Sequence, residues 1–237
     1  MKSYRYYDLV MAVFVSVLLL SNIASSAKII DWHLSFFGLR LAFDAGTLVF
    51  PVSYIFGDVL TEVYGYARAR RVIWVGFSMS ALMSGFLALV QWMPGEAMWQ
   101  EYAGDGAFLA ILGGVSSGGI IVASLAAYFL GEFSNSYILA RMKVRMQGRH
   151  LWMRTIGSTL VGQGLDTVTF ILIACIFGVF PWAIALSLIV ANYIFKVGIE
   201  VLLTPVTYKA VGFLKAVEQE DYYDRKTDFN PFRMTVG

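Results

Sequence analysis

Five carboxylates, Asp58, Glu62, Glu132, Asp166 and Glu200, interrupt stretches that are otherwise apolar enough to lie in lipid. Near them stand Asn135, Gln163, Asn192 and a single cation, Lys196. Carboxylates accept hydrogen bonds and take up protons, the amides of Asn and Gln both donate and accept, and an ammonium only donates. Gathered in one place, such a set reads the polar edge of a small solute. A charged side chain in contact with lipid costs at least a few kcal/mol, so each of these groups must face protein, water or a ligand. One lysine cannot neutralise five carboxylates. The remainder are protonated, solvated by a water-filled cavity, or matched by a ligand that brings hydrogen-bond donors or positive charge. The competing reading is structural: pairs such as Lys196 and Glu200, one turn apart, glue the helices together.

Spacing puts these residues on shared faces, because positions three or four apart lie on one side of a helix. Asp58 and Glu62 are an i, i+4 pair; Glu132 shares a face with Asn135 and Ser136; Ser158, Gly162 and Asp166 form a stripe beside Gln163; Asn192, Lys196 and Glu200 form another. Counting from basic residues at the helix ends places four acids near one depth. Asp58 lies ten positions before Arg68, Glu132 nine before Arg141, Asp166 twelve after Arg154 and Glu200 nine before Lys209. At 1.5 Å per residue this is about 15 Å, near the middle of a hydrocarbon core about 30 Å thick. Phe50 and Tyr54 precede Asp58 on roughly the same face, and Phe170 follows Asp166 by one turn. They pack the core or stack on a planar ligand.

The elements that must carry these residues follow from composition. The chain is 58% hydrophobic and 14% charged, against roughly a quarter charged in a soluble domain. It reads as an all-α integral membrane protein. A span needs about 20 apolar residues, and the uncharged runs give six: Leu9 to Ala27, about Phe43 to Ala67, Val72 to Gly95, about Ser117 to Met142, and two between Thr155 and Tyr208 separated by a turn at Phe177 to Trp182. The run from Gly106 is too long for one span and is broken near Gly113 and Gly114. Glycines 113, 114, 118 and 119 serve either as a hinge or for close packing. Pro51 predicts a kink above Asp58. Residues 1–210 form the six-helix domain, and residues 211–237 a mixed-charge tail expected to be mobile.

Lys2, Arg5, Arg68, Arg70, Arg71, Arg141, Lys143, Arg145, Arg149 and Arg154 all fall on one side of this layout, whereas Glu96, Glu101 and Asp105 fall on the other. By the positive-inside rule both termini are expected in the cytoplasm. Trp92, Trp99 and Trp182 suit the outer interfacial belt. The first apolar run is too long for a secretory signal and lacks a clear cleavage site, so a retained helix is expected. The single Cys175 has no disulfide partner and no metal-ligand spacing around it. No GxxxxGK[ST] and no HExxH occurs, so ATP chemistry would have to come from a partner and an intramembrane enzyme is disfavoured. No cofactor and no nucleic-acid partner is expected.

The segments FPVSYIFGDVLTEVYGY (50–66), GEFSNSYILARMK (131–143), LWMRTIGSTLVGQGLDT (151–167) and NYIFKVGIE (192–200) together resemble the queuosine precursor transporter family, a branch of the vitamin uptake transporters. The resemblance covers nearly the whole membrane region. It implies import of a 7-deazaguanine, 7-cyano-7-deazaguanine or its aminomethyl relative, across a bacterial inner membrane for tRNA modification. It also implies a six-helix bundle similar to the substrate-binding subunits of energy-coupling factor transporters. On this reading Asp58, Glu62, Glu132, Asn135, Gln163, Asp166, Asn192, Lys196 and Glu200 form the binding and coupling region. One carboxylate accepts the adjacent N–H and amino group of a guanine-like edge, and Lys196 suits the carbonyl. Transport is then self-sufficient, with protons as a coupling ion or passive, or else the chain is the binding subunit of an ATP-driven complex. A non-transporting scaffold is the remaining alternative.

Overall fold

The computed structural model describes residues 4–36 and 39–233, so Lys2 lies outside the described residues. The first helix, α1 (Tyr7–Ala27), buries Val10, Phe14, Leu18 and Ser21 along one face and leaves Leu9 and Leu20 outward. Its 21 residues reach about 31 Å, enough to cross the hydrocarbon core. Two strands follow, β1 (Ile29–Phe36) and β2 (Leu39–Asp44). They pair antiparallel with Ile29 opposite Asp44 and Phe36 opposite Leu39. Apart from this hairpin the described elements are helices, as expected of an all-α integral membrane protein.

This hairpin corrects the expected second span. Phe43 belongs to β2, residues Ala45–Leu48 form a 3₁₀ turn, and helix α2 runs only Phe50–Val59 before widening into a π-helical segment, Leu60–Tyr64. Those 15 helical residues reach about 22 Å, short of the core. Between Phe43 and Gly57 only Asp44 is charged, so hydropathy alone could not separate the end of the strand and the 3₁₀ turn from the helix. Close packing of Gly46 on α1 helps to fix the entry of α2. A Cβ there would lie 2.3 Å from the Ser21 carbonyl oxygen, and Ser21 Oγ donates to the Gly46 carbonyl at 3.1 Å. Pro51 falls in the first turn of α2, where its missing N–H has no intrahelical partner to lose. It gives no kink.

Gly65 ends the π segment at φ +84°, a conformation that glycine adopts without strain, and a Cβ there would collide with the Tyr222 ring at 2.2 Å. Helix α3 (Tyr66–Trp92) then returns across the bundle, and the short α4 (Ala97–Tyr102) leads into α5 (Gly104–Ser116). The break before α6 (Gly118–Arg145) comes at Ser117, three residues beyond the expected glycine pair. Gly114 is there for close approach, since its N–H donates to Ser26 Oγ at 2.9 Å and a Cβ would sit 2.7 Å from that oxygen. Helices α7 (Leu151–Ile176) and α8 (Trp182–Glu218) complete the bundle. Among the described residues five helical stretches are long and apolar enough to span a membrane: α1, α3, α5 with α6, α7 and α8.

The core lies between α1, α2, the π segment, α3 and α8, around Phe14, Leu18, Val59, Val63, Tyr64 and Val72. Large apolar side chains such as Leu82, Phe86, Leu186 and Leu202 point outward, as a lipid-facing surface requires. The tail is docked. Helix α8 runs past position 210 to Glu218, and the chain after it is held by backbone and side-chain bonds. Tyr222 N–H donates to the Val63 carbonyl, Tyr66 N–H to Asp224, Arg70 to the carbonyls of Asp228 and Asn230, and Trp74 Nε1 to the Pro231 carbonyl. Glu218 accepts from the backbone N–H groups of Arg5 and Tyr6 and from Tyr64 Oη, which ties the start of α1 to the end of α8.

Candidate functional site

The polar residues of α2, α6, α7 and α8 meet inside the bundle in three layers. Two glycines set the spacing. Helices α6 and α7 cross at Gly131 and Gly162, where a Cβ on Gly131 would lie 3.2 Å from the Gly162 carbonyl oxygen and one on Gly162 would lie 3.0 Å from that of Gly131. Glu132 and Asn135 flank the crossing on one helix, Gln163 and Asp166 on the other. The same tight contact seats Asp166 Cβ over Gly131 and Asn135 Cβ over Gly162. Four site residues are thus placed by one crossing.

The first layer is partly open. Lys196 Nζ pairs with Asp166 Oδ2, and the two side chains remain 25% and 20% exposed. The Lys196 ammonium also lies 5.4 Å from the centre of the Phe50 ring, which itself stands edge-on to Tyr54 at 5.0 Å. Tyr54 Oη donates to Gln163 Oε1 at 2.7 Å. Glu132 reaches this layer from α6, with Oε2 3.5 Å from where a Cβ on Gly57 would stand, and feels both Asp166 and Lys196. Its carboxylate is partly accessible and makes no hydrogen bond among the described residues.

The second layer is closed. Asp58 is 1% and Glu200 0% exposed, and their carboxylates interact electrostatically across the α2 and α8 interface. Asn135 Nδ2 donates to Asp58 Oδ1 at 3.0 Å. Asp58 Oδ2, both oxygens of Glu200 and Asn135 Oδ1 have no hydrogen-bond donor among the described residues, four bare acceptors in a space that excludes solvent.

The third layer holds Glu62, away from the others. Its Oε1 accepts from Arg154 Nη2 at 3.0 Å and Lys215 Nζ at 2.7 Å, with Lys143 Nζ at 3.5 Å, and both lysines also reach Asp221. Burial by itself would raise the Asp221 carboxyl, but hydrogen bonds and charge from Lys143 and Lys215 outweigh it and hold the group below the usual aspartate range. Glu62 lies at the end of the bundle where α1 begins and α8 ends. Its partners are three cations, Lys143 from α6, Arg154 from α7 and Lys215 from α8.

Asn192 is also apart, its amide donating to the Leu188 carbonyl of its own helix. Lys143 and Arg154, counted in the sequence as loop charges, are 0% and 1% exposed. The signal for Arg154 was present: it stands four residues before Ser158 and so extends the stripe through Gly162 to Asp166. Likewise Glu200, Thr204, Thr207, Val211, Leu214 and Glu218 form one buried face of α8 that passes Lys215.

Residues 44–210 match the family described as "Putative vitamin uptake transporter". The chain is 28% identical over 169 residues to the "Probable queuosine precursor transporter" of Bacillus subtilis (strain 168), covering 70% of each chain. It is 26% identical over 152 residues to the "Queuosine precursor transporter" of Escherichia coli (strain K12), covering 64% of this chain and 63% of that one. No solved structure matches. The matched residues include the first two polar layers and Glu62, Lys143 and Arg154 of the third, and with the family model spanning most of the chain, this protein belongs to the vitamin uptake transporter family and is a multi-pass membrane transporter.

Proposed function

We propose that this chain imports a 7-deazaguanine precursor of queuosine, and that the partly open layer binds it. The observation that carries the reading is Glu132: a carboxylate with no hydrogen bond, facing an accessible Asp166–Lys196 pair beside two aromatic rings. A deazaguanine fits that chemistry. Its ring N–H and exocyclic amino group lie side by side and donate together to one carboxylate, which is the strong, charge-assisted form of the bond. Its carbonyl accepts from Lys196. Its ring plane lies along Phe50 and Tyr54, and Gln163, already aligned by Tyr54, supplies a mixed donor and acceptor for the remaining ring nitrogen. Names of the two relatives support the substrate class. Both termini lie in the cytoplasm of a bacterial inner membrane on this reading, since the basic residues gather at the end that bears them.

The test is queuosine in tRNA from bacteria that neither make the precursor nor carry their own importer, fed limiting 7-cyano-7-deazaguanine. Expression of this chain restores queuosine in a host without energy-coupling proteins. Glu132→Gln, which turns a double acceptor into a group that also donates, lowers it at least tenfold at limiting substrate, about 1.4 kcal/mol or more of lost binding. Full restoration by Glu132→Gln overturns the assignment of the site, and no restoration by a membrane-inserted wild type overturns the substrate.

A further inference from the structure

The closed layer is chemically unlike the open one. Asp58 Oδ2, Glu200 Oε1, Glu200 Oε2 and Asn135 Oδ1 are all acceptors, all buried and all unpartnered. Two carboxylates cannot hydrogen-bond to one another without a proton, because each brings acceptors only. No cation faces them among the described residues. Lys196 is engaged by Asp166, and Lys143, Arg154 and Lys215 by Glu62. The other charges in reach are negative, Glu132 on α6 and Glu62 on the π segment. Helices α1 and α3 carry no charged residue between Leu9 and Ala27 or between Val72 and Trp92.

We propose that Asp58 and Glu200 form a proton site, and that the proton held between them couples solute movement to the proton gradient. This rests on the importer reading above and names its coupling ion. The geometry supplies the coupling. Helix α2 carries Phe50, Tyr54 and Asp58, and α8 carries Lys196 and Glu200 one turn apart. The two helices that meet through the carboxyl pair are therefore the same two that meet through Phe50 and Lys196 in the substrate layer. With one proton shared, the carboxyls bond and hold α2 against α8. With the proton gone, two like charges face each other in a space without solvent and drive the helices apart. The proton thus sets the width of the solute's own cleft. Asn135 relays between layers, since it bonds Asp58 and stands one turn from Glu132.

The experiment uses purified full-length protein in liposomes with 7-cyano-7-deazaguanine as the probe. Exchange of labelled against unlabelled solute, with no gradient, reports whether the substrate is right; its absence sinks the importer reading and not the proton site. With exchange present, the membrane potential clamped by potassium and valinomycin, and the outside one pH unit more acid, one proton per solute gives about tenfold accumulation. Glu200→Gln and Asp58→Asn bring that ratio to about 1, and a melting temperature near that of the wild type reports that each remains folded. Exchange without accumulation in the wild type overturns the proposal, as does accumulation that follows a sodium gradient and ignores pH. Undiminished accumulation in both variants places the proton elsewhere and overturns it equally.

Discussion

Two buried glutamates in this bundle occupy opposite electrostatic situations. Glu62 has three cations at one oxygen, and Glu200 has none among the described residues. Removing one partner from a buried ionic set leaves the others uncompensated and costs about 3–5 kcal/mol, whereas neutralising a carboxylate that lacks a cation removes a burden. Glu62→Gln is therefore expected to lower the Tm of the detergent-solubilised protein by several degrees, and Glu200→Gln to leave it unchanged or raise it. Equal losses in both would mean that burial alone, and not pairing, decides. At this scale the acids were legible in the sequence, because each breaks an apolar run. The cations of the third layer were not. Lys143, Arg154 and Lys215 lie near helix ends, where basic residues ordinarily face water, and only folding of the tail and the α6–α7 turn over them turns them inward.

At the scale of elements the α6–α7 crossing governs the open layer. A methyl group on Gly162 would stand 2.7 Å from Asn135 Cβ and 3.0 Å from a backbone oxygen, neither of which is the end of a flexible side chain. Gly162→Ala must then part the helices, at a cost of about 1–3 kcal/mol for overpacking. The separation moves Glu132 and Asn135 away from Asp166 and Gln163 together, so uptake should fall further than stability. Parallel measurement of solute exchange and thermal denaturation checks this, and a loss of stability with normal exchange would refute it. Hydropathy located α1, α3, α6, α7 and α8, since each is a long, mostly apolar stretch. It failed between residues 43 and 49. There the end of the strand, the 3₁₀ turn and the start of the helix carry only Asp44 as a charge, and the helix is too short to have a period of its own. The π segment was equally hidden: nothing in LTEVY marks a wider turn, and its i→i+5 geometry comes from the packing around it.

The whole molecule is closed at one end by residues 219–233. Segment 219–233 covers the third layer, and Asp221 contributes a carboxylate to it while remaining 44% exposed. A group whose folded-state pKa is lowered stabilises the fold above its ordinary pKa, and that contribution is lost as pH falls through the lowered value. Asp221 therefore helps to hold the tail at neutral and mildly acid pH, and releases it only below the usual aspartate range. Limited proteolysis across a pH series should find the tail protected until then, and Asp221→Asn should expose it at neutral pH. Protection that is the same in Asp221→Asn and wild type would show that the backbone bonds suffice alone. The sequence suggested a free tail because its mixed charge and scattered polar residues match no apolar stripe. Its partners, the carbonyl of Val63, the N–H of Tyr66 and the rings around Trp74, lie on distant elements.

Glu218 gives this closure a direction in time. The N–H groups of Arg5 and Tyr6 find their acceptor in a side chain more than two hundred residues later, so α1 keeps water at its opening amides until α8 has been made. This contact closes only when the end of α8 meets the start of α1. A lesion at Glu218 accordingly registers at α1.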